Sequence, residues 1–372
     1  MSRPLNVILD VTSRCNLKCV MCYFAGTDRL NFPPFGEEPR DGNMPVPLFE
    51  KIAGEMFPRA WRVALGCAAE PMIHPDFPEI LSIAGRYGVP DLWFPTNLLA
   101  LTQTSARAIL NAGVRTVAAS IDGTTKETYE KIRVPAKWER LLSRLELLRD
   151  AKRESGRRYP RLRIIFTWMK SNRRELADVP AFARQWGAEE LDVRYVSPTV
   201  GVDVTRELLS GEDPRELNAE LASAARDAVR RGLRLSSYPE FEKQADRPKA
   251  LLARIKRRLW YLSSGIDRWE KRRHAFAQRL YGCAYPGRYY VIRPNGAVAQ
   301  CIYWEGDPIG IYPAEGLESI SRGAPLARIR EGLRTGEPVG TCATCGERRT
   351  ALYRLRGIVP APNTLRLPTH PK

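Results

Sequence analysis

A helix needs about 18 consecutive apolar residues to cross a bilayer, and the sequence contains no run of that length. Its N-terminal segment also lacks the long apolar region of a secretory signal peptide. We therefore predict a cytoplasmic protein, and in that compartment clustered cysteines indicate metal ligands more often than disulfides. Stacking aromatic residues at regular positions are lacking too, which disfavours a nucleic-acid-binding module.

Positive charge, in contrast, is in excess. The 372 residues include 59 lysines and arginines against 42 aspartates and glutamates, a formal net charge of +17. This excess favours an anionic partner such as a phosphorylated small molecule, nucleic acid or an anionic membrane surface, although a solvated basic surface would also explain it. The length predicts one large or two medium domains with ample core.

Strand-like and helix-like segments alternate along the first half of the chain. The predicted strands, rich in β-branched or aromatic residues, are 5–11, 62–66, 91–95, 116–120, 161–168 and 190–195. The predicted helices, which have helical spacing of apolar residues, are 47–57, 76–87, 102–112, 126–152, 172–186 and 206–231. Such alternation is typical of an α/β fold with a parallel sheet, and six strands are two short of a closed eight-stranded barrel.

Three cysteines follow the first predicted strand. Cys15, Cys19 and Cys22 are separated by three and two residues, so they do not complete a four-ligand site by themselves. Three thiolates on one loop can hold three corners of a cubane iron–sulfur cluster, because such iron prefers soft thiolate ligands. The fourth iron would then be open to a substrate or cofactor, while a zinc loop is the alternative.

This cysteine spacing, followed by Tyr23, resembles the motif of the radical S-adenosylmethionine (SAM) superfamily. The resemblance implies a partial (β/α)6 barrel and a 4Fe–4S cluster whose open iron chelates the amino and carboxylate groups of SAM. It also implies reductive cleavage of SAM to methionine and a 5′-deoxyadenosyl radical, which abstracts a hydrogen atom from the substrate. An electron donor such as flavodoxin or ferredoxin is then expected as a partner.

Residues after the second to fifth predicted strands resemble further motifs of that superfamily, although each is also common in ordinary turns and caps. The turn at Ser171 and Asn172 is one of them. Two departures stand out: Cys67 begins a run of small residues where relatives have glycines, and Leu98 replaces a usual glycine. The resemblance implies that SAM is bound by Tyr23, Gly66, Glu70, Asn97, Ser120, Asp122 and Arg133.

A basic region follows residue 203. Between residues 252 and 280, apolar residues at alternating three- and four-residue steps form a stripe, with arginines and lysines on the other faces. Such a stripe is typical of helices packed on the rest of the fold with a solvated basic face. The alternative is a peripheral surface that binds anionic lipid or a phosphorylated substrate.

A second cysteine group lies near the C-terminus, at Cys283, Cys301, Cys342 and Cys345. The segment 294–296, Pro-Asn-Gly, predicts a hairpin that turns Cys301 back toward Cys283. Four thiolates make a complete set that zinc could occupy. Together with the N-terminal motif, the group resembles the SPASM/Twitch extension of radical SAM enzymes, which implies an auxiliary 4Fe–4S cluster with all four corners filled.

These segments predict four regions: a radical SAM partial barrel (1–203), a basic helical segment (204–281), a SPASM/Twitch-like cluster domain (282–348) and a tail (349–372). The leading prediction for the reaction is oxidation of a small anionic metabolite at carbon, with the electron leaving through the auxiliary cluster. The eighth cysteine, Cys67, is either inert or the hydrogen donor of a redox-neutral epimerase.

Three further alternatives are modification of a peptide, of a carrier- or lipid-linked substrate, and a zinc-binding nucleic-acid module. A peptide substrate is disfavoured because the predicted barrel starts at the N-terminus, with no leader-binding segment ahead of it.

Overall fold

One ten-stranded sheet dominates the protein, seen in a computed structural model that describes residues 5–22, 41–196, 202–237, 283, 285–304, 306–343 and 345. The strands are β1 (Leu5–Leu9), β2 (Ala60–Leu65), β3 (Asp91–Thr96), β4 (Thr116–Ser120), β5 (Arg161–Trp168), β6 (Glu190–Tyr195), β7 (Arg234–Ser237), β8 (Tyr289–Ile292), β9 (Ala297–Ala299) and β10 (Gly310–Ile311). Their spatial order is β10-β9-β8-β1-β2-β3-β4-β5-β6-β7. The first six strands confirm the predicted ones.

Helices connect the strands and cover one face of the sheet. The described α-helices are α1 (Val46–Met56), α2 (Phe77–Gly85), α3 (Gln103–Asn111), α4 (Lys126–Ile132), α5 (Trp138–Ser155), α6 (Val179–Gln185), α7 (Pro214–Arg230), α8 (Leu317–Arg322) and α9 (Ala324–Thr335). Prolines in the first turns of α1, α2, α6 and α7 help these helices begin, because a first-turn residue needs no hydrogen-bonded N–H.

Two predicted helices are interrupted. The predicted helix 126–152 is α4 followed by α5, because Pro135 lies between them and disfavours helical backbone at the residue before it. The predicted helix 172–186 is a 3-10 helix, Lys170–Ala177, followed by α6, which begins at Val179 and has Pro180 in its first turn. The predictions of continuous helices were wrong at these two places.

The parallel sheet extends further than predicted. β7 pairs in parallel with β6, although it lies in the segment predicted to be helical. β8 pairs in parallel with β1 and forms the predicted antiparallel hairpin with β9. The hairpin turn needs a glycine, since Gly296 has a φ of +85° and a Cβ there would lie 2.2 Å from the Tyr312 carbonyl oxygen. The C-terminal region therefore continues the barrel's own sheet, which is open in the described part of the chain.

The two faces of the sheet differ in burial at β3. Side chains alternate between faces along a strand, and in β3 the residues Leu92, Phe94 and Thr96 are buried while their neighbours are half-buried. Phe94 packs edge-on against Phe77 of α2, with ring centroids 5.3 Å apart, so the buried face is the one under the helices. The opposite face of β3 carries the half-buried residues Asp91, Trp93 and Pro95.

Some predicted features lie outside the described residues, namely Tyr23, the apolar stripe between 252 and 280, and the tail 349–372. Among the helices that are described, none has the length and apolar character required to cross a bilayer.

Candidate active site at the carboxyl ends of the strands

The N-terminal cysteines lie on the loop after β1, with Cys19 buried and Cys15 and Cys22 half-buried. The Lys18 backbone N–H donates to the carbonyl oxygen of Val134, just after α4, at 2.6 Å, and the Val20 N–H donates to that of Ile132, the last residue of α4, at 3.0 Å. These bonds fix the loop against the barrel. Burial raises the pKa of the Cys19 thiol to about 11, and nearby Cys22 and Cys15 contribute to the increase. The three thiols therefore share one small region.

A buried ion pair lies beside this loop. Arg133 Nε donates to Asp122 Oδ2 at 2.7 Å, and Arg133 Nη1 lies 3.9 Å from Cys19 Sγ. The other Asp122 oxygen accepts the backbone N–H of Thr167 at 2.7 Å. Arg133 thus brings a positive charge to one cysteine while Asp122 holds its guanidinium in place.

The loop after β2 is tied to the turn after β3 by Glu70, which is almost fully buried. Its carboxylate accepts the backbone N–H of Asn97 at 2.6 Å, the Thr96 hydroxyl at 2.7 Å and the backbone N–H of Met72 at 3.2 Å. Burial raises the pKa of Glu70 to about 7, and these three donors moderate that increase. Both oxygens are thus engaged within the protein.

The turn after β3 also reaches the cysteine loop. Asn97 Nδ2 donates to Asn16 Oδ1 at 2.7 Å and lies 3.9 Å from Cys15 Sγ. The next residue, Leu98, has a φ of +69°, a conformation that favours glycine, and is the one described non-glycine residue with positive φ. The departure from the resembled motif at this position therefore leaves the backbone turn itself in place.

Two further predicted residues lie at the same edge. Ser120 ends β4, is half-buried and pairs in register with Ile165 of β5. Asn172, fully buried, donates from Nδ2 to the carbonyl oxygens of Asp122 and Thr167, at 2.9 Å each. The structure therefore gathers the predicted residues after β1 to β5 at one edge, apart from Tyr23, which is not described.

Cys67 lies on the loop that follows Gly66, whose φ is +103°. Its backbone N–H donates to Asp10 Oδ1 at 2.7 Å, and the other Asp10 oxygen accepts Arg293 Nη1 at 2.6 Å. The side chain is exposed to solvent, although many protein atoms surround it. Burial, followed by the Asp10 charge, raises the pKa of the thiol to about 12, so it is protonated at neutral pH.

The C-terminal cysteines also come together. Cys301, just after β9, and Cys342 are buried, while Cys283 and Cys345 are half-buried. Burial raises the pKa of Cys301 to about 12; a hydrogen bond from the Tyr303 backbone opposes the increase, and the other three cysteines add to it. The hairpin that the sequence predicted thus returns Cys301 to Cys283, and the segment around Cys342 completes the group.

Sequence reasoning missed several residues near the predicted ones. Arg194 at the end of β6 donates from Nη2 to Asp192 Oδ2 at 2.7 Å, and its side chain is 52% exposed. Tyr303 also lies near Arg194. Tyr289 of β8 interacts electrostatically with both Cys67 and Cys301, and burial raises its pKa to about 12. Arg194 could have been predicted as a site residue from the sequence, because it lies at the carboxyl end of a predicted strand.

The donor chemistry of both cysteine groups fits iron–sulfur clusters. In the described part of the chain, no three His, Cys, Asp or Glu side chains converge closely enough to bind a single metal ion. A cubane presents a separate iron to each thiolate, so its ligands need not converge on one point. Three thiols on the first loop and four in the second group match an open and a filled cubane.

The family comparison agrees with this arrangement. A model of the radical SAM superfamily matches residues 9–160, which run from the end of β1 through α5 and include the first cysteine loop, Glu70 and Arg133. Residues 9–160 therefore form a radical SAM domain. A 4Fe–4S cluster and SAM are the cofactors of that superfamily.

Curated relatives of this radical SAM protein are enzymes with different substrates. The AdoMet-dependent heme synthase of Methanosarcina barkeri is 29% identical over 219 residues, 58% of this chain and 57% of that protein. The probable GTP 3′,8-cyclase of Metallosphaera sedula is 25% identical over 225 residues, 60% of this chain and 65% of that protein. The matches thus cover less than two thirds of these relatives' own lengths.

A solved structure shares the fold over nearly the whole chain. Streptococcus suis SuiB bound to S-adenosylmethionine superposes with a TM-score of 0.61 and 15% identity, covering 94% of this chain and 72% of SuiB. The likeness confirms the radical SAM partial-barrel fold.

Proposed function

We propose that this radical SAM protein oxidises a small anionic metabolite at carbon and holds an auxiliary 4Fe–4S cluster on Cys283, Cys301, Cys342 and Cys345 as electron acceptor. The observation that carries the proposal is the group of four thiols around Cys301. Because β8 pairs with β1, this group is built on the same sheet as the first cysteine loop.

When bound, the first cluster and SAM supply hydrogen-atom abstraction from the substrate, and the auxiliary cluster accepts the electron that the substrate then loses. The substrate gives up one hydrogen atom, one electron and one proton, which is a net two-electron oxidation. SAM ends as methionine and 5′-deoxyadenosine. A reductant of the flavodoxin or ferredoxin class supplies the electron that starts each turnover.

Cys15, Cys19 and Cys22 are the proposed ligands of the first cluster. Arg133 holds a positive charge beside Cys19, which favours the thiolate that iron binds. The proposed SAM-contacting residues are Tyr23, Gly66, Glu70, Asn97, Ser120, Asp122 and Arg133. In this proposal Glu70 acts chiefly by fixing the turn at Asn97, since its carboxylate is engaged by protein donors.

An anionic substrate is supported by charge at the barrel opening. Arg194 is half-exposed there, and its one described carboxylate partner is Asp192, which leaves part of the guanidinium free to pair with a substrate carboxylate or phosphate. The GTP 3′,8-cyclase relatives are named for an anionic nucleotide.

Metal analysis with electron paramagnetic resonance (EPR) tests the proposal. Anaerobically reconstituted protein is expected to contain about eight irons per chain, and one of two cluster signals should change when SAM is added. The variant Cys342→Ser/Cys345→Ser should retain about four irons and the SAM-sensitive signal. The variant Cys19→Ser/Cys22→Ser should lose the SAM-sensitive signal and retain the other.

About four irons plus one zinc in the wild-type protein would contradict the auxiliary cluster and the oxidation that depends on it. An iron content near eight with no SAM-sensitive signal would contradict the assignment of Cys15, Cys19 and Cys22.

A redox-neutral epimerase is the second candidate, and the state of Cys67 favours it. A hydrogen donor must carry S–H, and the raised pKa of this accessible thiol keeps it protonated. In this reaction Cys67 gives a hydrogen atom to the substrate radical. The thiyl radical left on Cys67 would then need one proton from water and a second electron from the flavodoxin- or ferredoxin-class reductant, for which the auxiliary cluster could supply the route.

Substitution of Cys67 separates the two reactions. For oxidation, Cys67→Ala should form the same product as the wild type. For epimerisation, Cys67→Ala should still cleave SAM but form no epimer, and wild-type enzyme in D2O should place one deuterium at the inverted carbon.

A further inference from the structure

Gln300 is a buried polar residue that contacts the second cysteine group. It lies between β9 and Cys301, and its exposure is 1%. Its Nε2 lies 3.4 Å from Cys342 Sγ and 3.7 Å from Cys301 Sγ. Its Oε1 is also buried and has no hydrogen-bond partner among the described residues.

Stability of the fold does not explain why a glutamine is placed here. A buried amide oxygen without a donor lowers the stability of the folded protein, whereas an apolar side chain of similar size would avoid that cost. The amide orientation follows from charge: a thiolate sulfur accepts hydrogen bonds, so the N–H side faces the sulfurs and the oxygen faces away. The cost of burying Gln300 is offset if the sulfurs carry negative charge.

We propose that Gln300 is a positioning residue that tunes the auxiliary cluster, donating N–H···S hydrogen bonds to its ligands Cys301 and Cys342. This inference rests on the proposed auxiliary cluster. Reduction adds negative charge to a cluster, and donors to the ligand sulfurs stabilise that charge, so they raise the reduction potential. A higher potential makes the cluster a better acceptor for the electron that leaves the substrate.

Substitution of Gln300 removes only the hydrogen bonds that its side chain donates to the two cysteine sulfurs. The Tyr303 backbone also donates to Cys301, but it remains in any side-chain variant. Gln300→Leu removes both side-chain donors and the unpartnered oxygen. Gln300→Glu keeps the shape and replaces the N–H donors with oxygen.

The test is an EPR-monitored redox titration of reconstituted wild-type, Gln300→Leu and Gln300→Glu proteins, with iron content measured on each. Both variants should retain the wild-type iron content, and the midpoint potential of the auxiliary signal should shift to a more negative value. The SAM-sensitive signal of the same samples is the internal control, and its potential should stay constant.

An unchanged auxiliary potential in Gln300→Leu at full iron content would overturn the role of Gln300 while leaving the proposed function intact. A shift of both signals by the same amount would also overturn it, because the effect would not be local. If Gln300→Leu loses iron, Gln300→Glu decides the outcome. Wild-type protein without a second cluster signal would instead refute the proposed function, and this inference with it.

Discussion

Asp10 and Arg293 form a buried ion pair, 2.6 Å between Oδ2 and Nη1, that joins the carboxyl ends of β1 and β8. The other Asp10 oxygen holds the backbone N–H of Cys67 after β2. One carboxylate thus connects three segments that border the proposed site. Because the two side chains are only 3% and 11% exposed, water cannot replace either partner.

We predict that Asp10→Asn destabilises the protein by about 3–5 kcal/mol, because the nearly buried Arg293 would lose the negative charge of Asp10. The free energy of unfolding in urea measures the loss. The matched control is Glu318→Gln, which removes the charge of an ion pair at the surface. In that pair the Glu318 side chain is 72% exposed and the Arg322 side chain is 79% exposed. That substitution should change stability by less than about 1 kcal/mol. Equal effects of the two substitutions would contradict the prediction.

Glu70 should make stability depend on pH. Burial raises its pKa from 4.5 to about 7, so between these values the native state holds a proton that the unfolded chain has released. Stability from this group is therefore fully present below pH 4.5 and is lost as pH rises through about 7, by about 3 kcal/mol in total.

Glu70→Gln provides the reference, because an amide does not titrate in this range. The difference in unfolding free energy between wild type and Glu70→Gln, measured from pH 5 to pH 8, should move in favour of the variant as pH rises. A difference that is constant with pH would show that the Glu70 pKa is not raised.

Leu98→Gly should destabilise the protein although it relieves backbone strain. The left-handed conformation costs a non-glycine residue about 1–2 kcal/mol, whereas removing a buried leucine side chain costs about 2–5 kcal/mol. Leu98 is fully buried, so the loss of packing should exceed the gain. Urea unfolding should show a net loss of about 2 kcal/mol.

Leu99→Gly is the matched control, because Leu99 is also buried and does not have positive φ. Because Leu99→Gly relieves no backbone strain, it should lower the free energy of unfolding by about 1–2 kcal/mol more than Leu98→Gly does. An equal or smaller loss in Leu99→Gly would mean that the backbone at Leu98 is not strained.

Local sequence patterns predicted the regular part of the fold well. Strands β1 to β6 coincide with β-branched or aromatic runs, and the Pro-Asn-Gly segment predicted the hairpin that ends at Cys301. The strand β7 was missed because its four residues form a strand by pairing with β6, and that pairing partner is distant in the sequence. Pro135 was visible in the sequence, and its effect on the predicted long helix was underestimated.

The sequence by itself determined the two groups of cysteines, their order along the chain and the edge of the sheet where the first group would lie. These properties depend on residue type, spacing and strand direction, which are local. Only the tertiary structure decided that Asp10 meets Arg293, 283 positions away, and that Gln300 meets Cys342. Such contacts depend on how β8 and β9 dock beside β1, and no local pattern encodes that docking.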